Sequence, residues 1–388
     1  MISPTDTVVV VGASIAGITA AEELVEMGHA GRIVLIDAET RPSYARPPLS
    51  KAVLLGTDAP ESAFLPEPTG DRIEHINGDA AVALDPVARI VRLASGRQIR
   101  YDGLVIATGS RARTLADLGC NPAALAERVL RTLDDARRLR DDLSTASSIA
   151  IVGGGVLGME LASAARSAGV RATVVTNEPP LLTQCGPFVS ELVLRSARAH
   201  GVDVRIDPSG VTLVERSGRP AAMLGDEVIE ADVVVTAVGD VPNVEWLADS
   251  GIATVPGVVV DSRCRVSDRI VAAGDVAAFG TPARRTPHWS HAVEQSRIAA
   301  AALLLGDGAP IYTPRPYFWT DQFDLALKMG GATPFLGMPE VLVGSLDALD
   351  ALVQWTDEGV PRGALAINRR VPIPRLHSLA GNHLPSAS

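Results

Sequence analysis

Two glycine-punctuated turns carry the first chemical signal. In SIAIVGGGVLGMELA, Gly153, Gly155 and Gly158 make a GxGxxG directly after an apolar run and directly before a helical one. Such glycines allow a tight turn, let backbone amides touch a pyrophosphate and bring helix against strand, with the helix N-terminus facing the negative charge. TVVVVGASIAGITAA holds a variant in Gly12, Ser14 and Gly17, where Ser14 leaves room for a phosphate and adds a hydroxyl donor. Two further runs, YDGLVIATGS through Gly109 and VVTAVGDVPN through Gly239, pass from an apolar strand into a glycine turn placed to close over a cofactor. DRIVAAGDVA ends in Gly274 and Asp275, whose carboxylate can grip a sugar-alcohol chain; the same residue type also serves as a helix N-cap. A lysine completes the set. In YARPPLSK two prolines stiffen the approach to Ser50 and Lys51, and Arg46 to Pro48 are expected to form a rigid, extended arm that aims them at a set place.

The elements that must position these residues alternate: short β-branched runs and alanine-rich helical stretches, the pattern of parallel sheets covered by helices. The unit from Thr7 to Glu39, with Asp37 and Glu39 at its end, repeats its strand, glycine turn, helix and strand from Ser148 to Glu178. Two nucleotide-binding folds in one chain follow. Two such folds imply two dinucleotides, and the economical pair is a flavin held tightly and a nicotinamide passing through.

Composition sets the limits. With 388 residues, 47% of them hydrophobic, the chain can bury two or three cores without disulfides. Cys120, Cys185 and Cys264 lie far apart with no CxxC or metal-type spacing, so neither a disulfide framework nor a metal site is expected, and the cytoplasm is the expected compartment. The apolar N-terminal run has no basic segment before it and is broken by glycines, so it reads as a strand and helix and not as a signal peptide or membrane anchor. A net charge of -10 argues against nucleic-acid and membrane-surface partners. The loosest stretches run from Thr57 to Arg72 and after Ala380.

Taken in order, VGASIAG, RPPLSK, ATGSRAR, LRTLDDARRLR, GGGVLGMELA, GDVPN, AAGDVA, HWSHAVEQ and YFWTDQFD resemble the FAD-dependent NAD(P)H:ferredoxin reductases that feed bacterial haem monooxygenases and Rieske dioxygenases. The resemblance covers nearly the whole chain. It implies an α/β protein of two Rossmann-like dinucleotide-binding domains plus a small α+β C-terminal domain: FAD-binding at 1–111 and 245–316, NAD-binding at 112–244, and C-terminal at 317–388. It further implies that Glu39 holds the adenosine ribose of FAD and that Gly12, Ser14 and Gly17 face its pyrophosphate. Arg46, Lys51, Arg131 and Asp275 would make other polar contacts, and the backbone at Ala81 and Thr108 would line the adenine end. Glu160 matches a carboxylate that in these reductases sits beside the flavin and pairs with the lysine of RPPLSK. Lys51 would then meet the flavin where negative charge develops, a preorganised electrostatic role. Trp289 and Trp319 fall where the family sets an aromatic against the flavin or nicotinamide; without the resemblance each reads as a core residue. His288 and His291 are assigned no catalytic role, because in this chemistry the cofactors react and the protein aligns them.

The chain departs from the family at several points. NADH-using relatives carry glutamate at the end of the second nucleotide-fold strand, where this chain has Thr176, then Asn177 and Glu178. Lys328 replaces a common glutamine, and the segment after Lys51 is shortened. The run TVVTNEPPLL offers no cation for a 2′-phosphate and adds Glu178, so NADH is expected over NADPH. The expected function is NADH-dependent reduction, through FAD, of a [2Fe-2S] ferredoxin that serves a haem monooxygenase or Rieske oxygenase. An acidic ferredoxin would be repelled by the net charge, so docking would need local cations: Arg284, Arg285, Arg315, Arg369, Arg370 and Arg375. Two alternatives stay open: an NADH-responsive protein like apoptosis-inducing factor, and a flavin oxidase, peroxidase or disulfide reductase. The last would need a thiol against the flavin where the chain has none.

Overall fold

The computed structural model describes residues 1–68 and 70–381, so the tail beyond Gly381 lies outside the described residues. Contacts divide the chain into two compact units, one of residues 1–45, 64–111 and 241–314, the other of 46–63, 112–240 and 315–388.

The first unit is built on a sheet in the order Arg265–Ser267, Ile270–Ala272, Gly103–Ile106, Val8–Val11, Ile33–Asp37 and Ile73–Asn77. All its pairings are parallel except the one between the first two strands. Val8 to Val11 are all buried because this strand lies mid-sheet with both faces covered. Each such side chain contributes roughly 1.5–3 kcal/mol of burial. The helix Ile15–Glu26 follows the first glycine turn, and the alanine-rich helix Trp289–Leu305 packs on it. Small side chains there, Ala20 and Ala21 on one helix and Ala299 to Ala302 on the other, share one core. The N-terminal apolar run is thus a strand and a helix, as its sequence predicts. Among the described residues no helix is long and apolar enough to cross a membrane.

The second unit repeats the plan on a smaller scale. Its parallel sheet runs Asp203–Ile206, Arg171–Thr176, Ser148–Val152 and Val233–Thr236. The helix Val156–Ser167 leaves the second glycine turn, and Pro187–Ala199 covers the sheet further on. Residues 315–381 add an antiparallel sheet in the order Tyr317–Gln322, Leu325–Gly331, Val360–Ile367, Asp350–Asp357 and Glu340–Ser345, with the helix Ile373–Leu379 against it. Two parallel nucleotide-binding folds are therefore present, as the alternation of apolar runs predicts, and so is the C-terminal α+β element that the family resemblance implies.

Candidate functional site

Both glycine turns are closed by steric necessity. Gly12 has φ +106°, and a Cβ there would stand 2.2 Å from the Ala107 carbonyl oxygen; a Cβ on Gly17 would stand 1.8 Å from the Gly12 carbonyl oxygen. The second turn copies the first: Gly153 has φ +116°, and a Cβ there would stand 2.2 Å from the Ala237 carbonyl oxygen, while a Cβ on Gly158 would stand 2.0 Å from the Gly153 carbonyl oxygen. Only glycine admits such a turn, with the helix pressed this closely onto the strand.

The helices that leave these turns start differently from the helix Leu133–Thr145. The helix Leu133–Thr145 begins with a full capping box between Thr132 and Asp135 and with two acids, Asp134 and Asp135, in its first turn. The helices Ile15–Glu26 and Val156–Ser167 have no side-chain cap from their own N-cap residues and no acid in the first turn. A helix start kept free of carboxylates suits an external anion, and the glycines let its phosphate oxygens approach the backbone. Both turns therefore fit the pyrophosphate of a dinucleotide.

Around the first turn, Glu39 lies just past the strand Ile33–Asp37, and the Tyr44 hydroxyl donates to its Oε2 at 2.6 Å. This fixes a half-buried carboxylate at the strand end, suited to a ribose. Thr108 and Asn243 bind each other twice: the Thr108 hydroxyl donates to the Asn243 carbonyl at 2.8 Å, and the Asn243 side-chain amide donates to the Thr108 carbonyl at 2.8 Å. Gly109 has φ +64°, and its carbonyl accepts from the Asn243 amide. Ala81 opens the strand Ala81–Asp85 of a small antiparallel sheet. Gly274 has φ +81° and donates its amide to Gln295 Oε1, and Asp275 follows inside a short 3-10 turn. Asp275 is therefore no N-cap: Ala273 holds that position for the short turn and His288 for the helix Trp289–Leu305. Trp289 is the first residue of that helix and half-buried. Burial pushes the imidazole of His291 down to about 4 and that of His288 down as well, so both are neutral near pH 7.

In the second unit, the prolines act differently from the expectation. Arg46 is helical, at φ -80° and ψ -32°, and Pro47–Ser50 form a 3-10 turn with Pro47 in its first position. The Leu49 amide donates to the Arg46 carbonyl, and the Lys51 amide to that of Pro48. These bonds outweigh the extended preference of a residue before proline. The arm is rigid all the same. It delivers Lys51 Nζ to 2.7 Å from Glu160 Oε1, with the lysine side chain 23% exposed and the glutamate 6%. Glu160 lies in the helix Val156–Ser167 directly after the second glycine turn. Its carboxylate also accepts from the Ser50 hydroxyl on Oε2 and from the Thr320 hydroxyl on Oε1 at 2.7 Å. Burial of a carboxylate is costly unless it is paired and hydrogen-bonded, and here three donors meet it. The Lys51–Glu160 pairing is the one that the family resemblance implies; the sharing of that carboxylate by the Ser50 and Thr320 hydroxyls has no local signal, because each lies more than a hundred positions from Glu160.

The strand Tyr317–Gln322 brings Trp319 beside Thr320. The Trp319 ring stacks on Tyr317 with centroids 5.8 Å apart, and its register partner across the ladder is Lys328. Arg131 precedes the capping box of the helix Leu133–Thr145 and donates its amide to Asp135. Gly239 has φ +101°, and its carbonyl accepts from the Arg113 amide.

The end of the strand Arg171–Thr176 carries a small network. The Thr176 hydroxyl donates to the Glu178 carbonyl at 3.0 Å, and the Glu178 carboxylate accepts from the Thr183 hydroxyl at 2.5 Å. Gln184 follows, and its Oε1 accepts from the Val156 amide at 3.2 Å, at the start of the helix after the second glycine turn. Sequence reasoning passed over Gln184 because nothing in its neighbours marks a residue that folds back onto a turn 28 positions earlier. Cys185 and Cys264 are buried, and burial pushes both thiols up to about 12; all three cysteines are free. Among the described residues no cluster of histidine, cysteine and acidic side chains could hold a metal ion.

Comparison with known proteins places these features in a family. The model of the pyridine nucleotide-disulphide oxidoreductases matches residues 6–296. A terpredoxin reductase of a Pseudomonas species is 36% identical over 86% of this chain and 83% of that protein. The anthranilate 1,2-dioxygenase system ferredoxin–NAD(+) reductase component of Burkholderia cepacia is 36% identical over 84% of this chain and 82% of its own length. Among solved structures, a covalent putidaredoxin reductase–putidaredoxin complex contains a chain that matches with a TM-score of 0.86 at 30% identity, covering 98% of this chain and 94% of that one.

Proposed function

Because the chain belongs to the pyridine nucleotide-disulphide oxidoreductase family, among its ferredoxin reductases, we propose that it is an FAD-dependent NADH:ferredoxin reductase serving a haem monooxygenase or Rieske oxygenase. Bound FAD supplies the chemistry that accepts two electrons from a nicotinamide and releases them singly to an iron–sulfur protein. Every other task falls to the chain.

In this reading Gly12, Ser14 and Gly17 cradle the FAD pyrophosphate, Glu39 holds the adenosine ribose, and Asp275, Arg46 and Arg131 make further polar contacts. Ala81, Thr108, Gly109 and Gly274 supply close backbone. Gly153, Gly155 and Gly158 cradle the nicotinamide dinucleotide, with Glu178 and Gly239 at its margins. Trp289 and Trp319 flank the flat rings. Lys51 carries the positive charge and Glu160 aims it. The observation that carries the reading is the doubled carboxylate-free glycine turn, one in each unit, together with the Lys51–Glu160 ion pair.

Glu178 supports NADH over NADPH. Its carboxylate is held by Thr183 at the strand end, where a 2′-phosphate would meet negative charge, and the run 173–182 holds no cation to offset it. The two buried, protonated thiols weigh against disulfide-reductase chemistry, which requires a thiolate. The test is turnover of NADH with [2Fe-2S] ferredoxins of the same organism. A yellow protein with about one FAD per chain that reduces at least one of them is the expected result. A protein that binds FAD, is reduced by NADH and passes electrons to none of them would favour the signalling alternative.

A further inference from the structure

We propose that Thr320 is a positioning residue that acts through Glu160 to set where the Lys51 ammonium rests; this builds on the ferredoxin reductase reading above. Three donors meet the Glu160 carboxylate, and they share it unequally. Lys51 Nζ and the Thr320 hydroxyl both contact Oε1 at 2.7 Å, whereas Ser50 contacts Oε2. Lys51 and Ser50 come from one short segment and move with it. Thr320 comes from elsewhere, the strand Tyr317–Gln322, and is fully buried.

Its hydroxyl has a fixed job. A hydroxyl has one proton to give and can accept on its lone pairs. The Gln322 side-chain amide donates to the Thr320 oxygen at 3.4 Å, and Gln322 is itself 2% exposed. With the oxygen accepting on one side, the Thr320 proton points to Glu160. The backbone beneath is held in the antiparallel ladder opposite Leu327, and the β-branched side chain has little χ1 freedom. Thr320 is thus a rigid donor that pins one oxygen of the carboxylate. Without it, Oε1 answers to Lys51 alone, and the ammonium settles wherever the flexible lysine stem takes the pair. A placement error in a preorganised charge is felt where the charge is used.

The expected behaviour separates positioning from mere stability. Thr320→Val keeps the shape and removes the donor. It should retain FAD and lower the limiting rate of flavin reduction at saturating NADH about tenfold, the scale of one hydrogen bond to a charged group. The apparent dissociation constant for NADH should change by less than about twofold, since the nicotinamide site is untouched. The flavin midpoint potential, measured without turnover, should become more negative, because a displaced ammonium stabilises the reduced flavin less. Thr320→Ser should restore both properties, and in a Glu160→Gln background Thr320→Val should have no further effect. A wild-type rate and potential in Thr320→Val, or an equal added loss on top of Glu160→Gln, would overturn the proposal. Should Thr320→Val lose its FAD, Ser50→Ala removes the donor on the other oxygen. A lowered limiting rate and potential in that variant would support pinning of the carboxylate, and wild-type values would overturn it. Wild-type protein that holds FAD but is not reduced by NADH marks failure of the functional reading itself, and the proposal falls with it.

Discussion

Lys51 Nζ lies 2.7 Å from Glu160 Oε1, an ion pair closed between residues 109 positions apart. The lysine side chain keeps 23% of its surface exposed while the carboxylate is nearly sealed, so the pair presents its positive end. Lys51→Met should retain FAD and slow flavin reduction by NADH about ten- to a hundredfold in stopped flow, near the lower range for loss of a preorganised charge donor. An unchanged rate would return Lys51 to the role of a surface lysine behind a proline turn. The cost to folding should be clear as well, about 3–5 kcal/mol at most, because the nearly sealed Glu160 carboxylate loses its counter-charge and keeps only the Ser50 and Thr320 hydroxyls as donors.

Gly12→Ala should abolish flavin retention. Its Cβ would stand 2.2 Å from the Ala107 carbonyl oxygen at a φ of +106°, and two backbone segments cannot part without moving the central strand. Ser14→Gly is the contrasting case. The Ser14 side chain makes no cap bond to its helix, and glycine is tolerated at an N-cap for a few tenths of a kcal/mol. The ratio of flavin to protein absorbance checks both: near zero for Gly12→Ala and close to wild type for Ser14→Gly.

Nicotinamide choice should follow Glu178. NADH is expected to exceed NADPH in kcat/KM by about tenfold or more, and Glu178→Gln should narrow that gap by raising the NADPH value. Thr176 cannot replace the missing glutamate as a ribose clamp, because its hydroxyl is already given to the Glu178 carbonyl. Equal efficiency with both cofactors in the wild type would show that this strand end does not discriminate.

These expectations differ in how far the sequence alone could reach them. Gly12 and Gly153 were legible because their neighbours state the context: four buried valines before one, SIAIV before the other, and a helix after each. Local order determines such a turn. The carboxylate network was half legible. RPPLSK and YFWTDQFD hold Ser50 and Thr320 as well as Lys51, but nothing in those motifs gives the two hydroxyls a partner, which comes from the folding of distant segments onto one helix. The 3-10 turn at Pro47 departs from the extended arm that the sequence predicts for a related reason: the restriction on Arg46 is a preference worth less than the two backbone bonds that close the turn. Gln184 gave no signal at all, since its contact depends on how the segment after Glu178 doubles back.

Stability should fall as the solution is acidified, through the buried imidazole of His291. Burial, aided by the neighbouring His288, holds its folded value at about 4 against 6.5 in the unfolded chain. The unfolded state therefore takes up protons first. Stability is intact above pH 6.5 and is lost as the pH falls toward 4, by about 2–3 kcal/mol from this group. Thermal melts of the wild type and of His291→Gln between pH 7.5 and 4.5 check it: the wild type should lose more of its Tm over that span than the variant. Parallel losses would mean that other groups dominate.

Acceptor docking brings the arginines back into view. The structure divides them by what they already hold. Arg285 donates to the Asp275 carbonyl at 2.8 Å, and Arg369 is paired with Asp350 at 2.9 Å. Both are committed to the fold, and reversing either would disturb it. Arg370 and Arg375 are exposed, in and just before the helix Ile373–Leu379, and Arg284 is exposed as well. These are the better candidates to meet an acidic ferredoxin, against the repulsion of a chain of net charge -10. Added salt should weaken ferredoxin reduction far more than reduction of a small neutral acceptor, since screening acts on the charged encounter alone. Arg370→Glu with Arg375→Glu should raise the apparent KM for ferredoxin several-fold, as expected for charges at a docking rim. It should leave flavin reduction by NADH unchanged. Equal salt sensitivity with both acceptors, or a double variant with wild-type ferredoxin kinetics, would place the docking surface away from this helix.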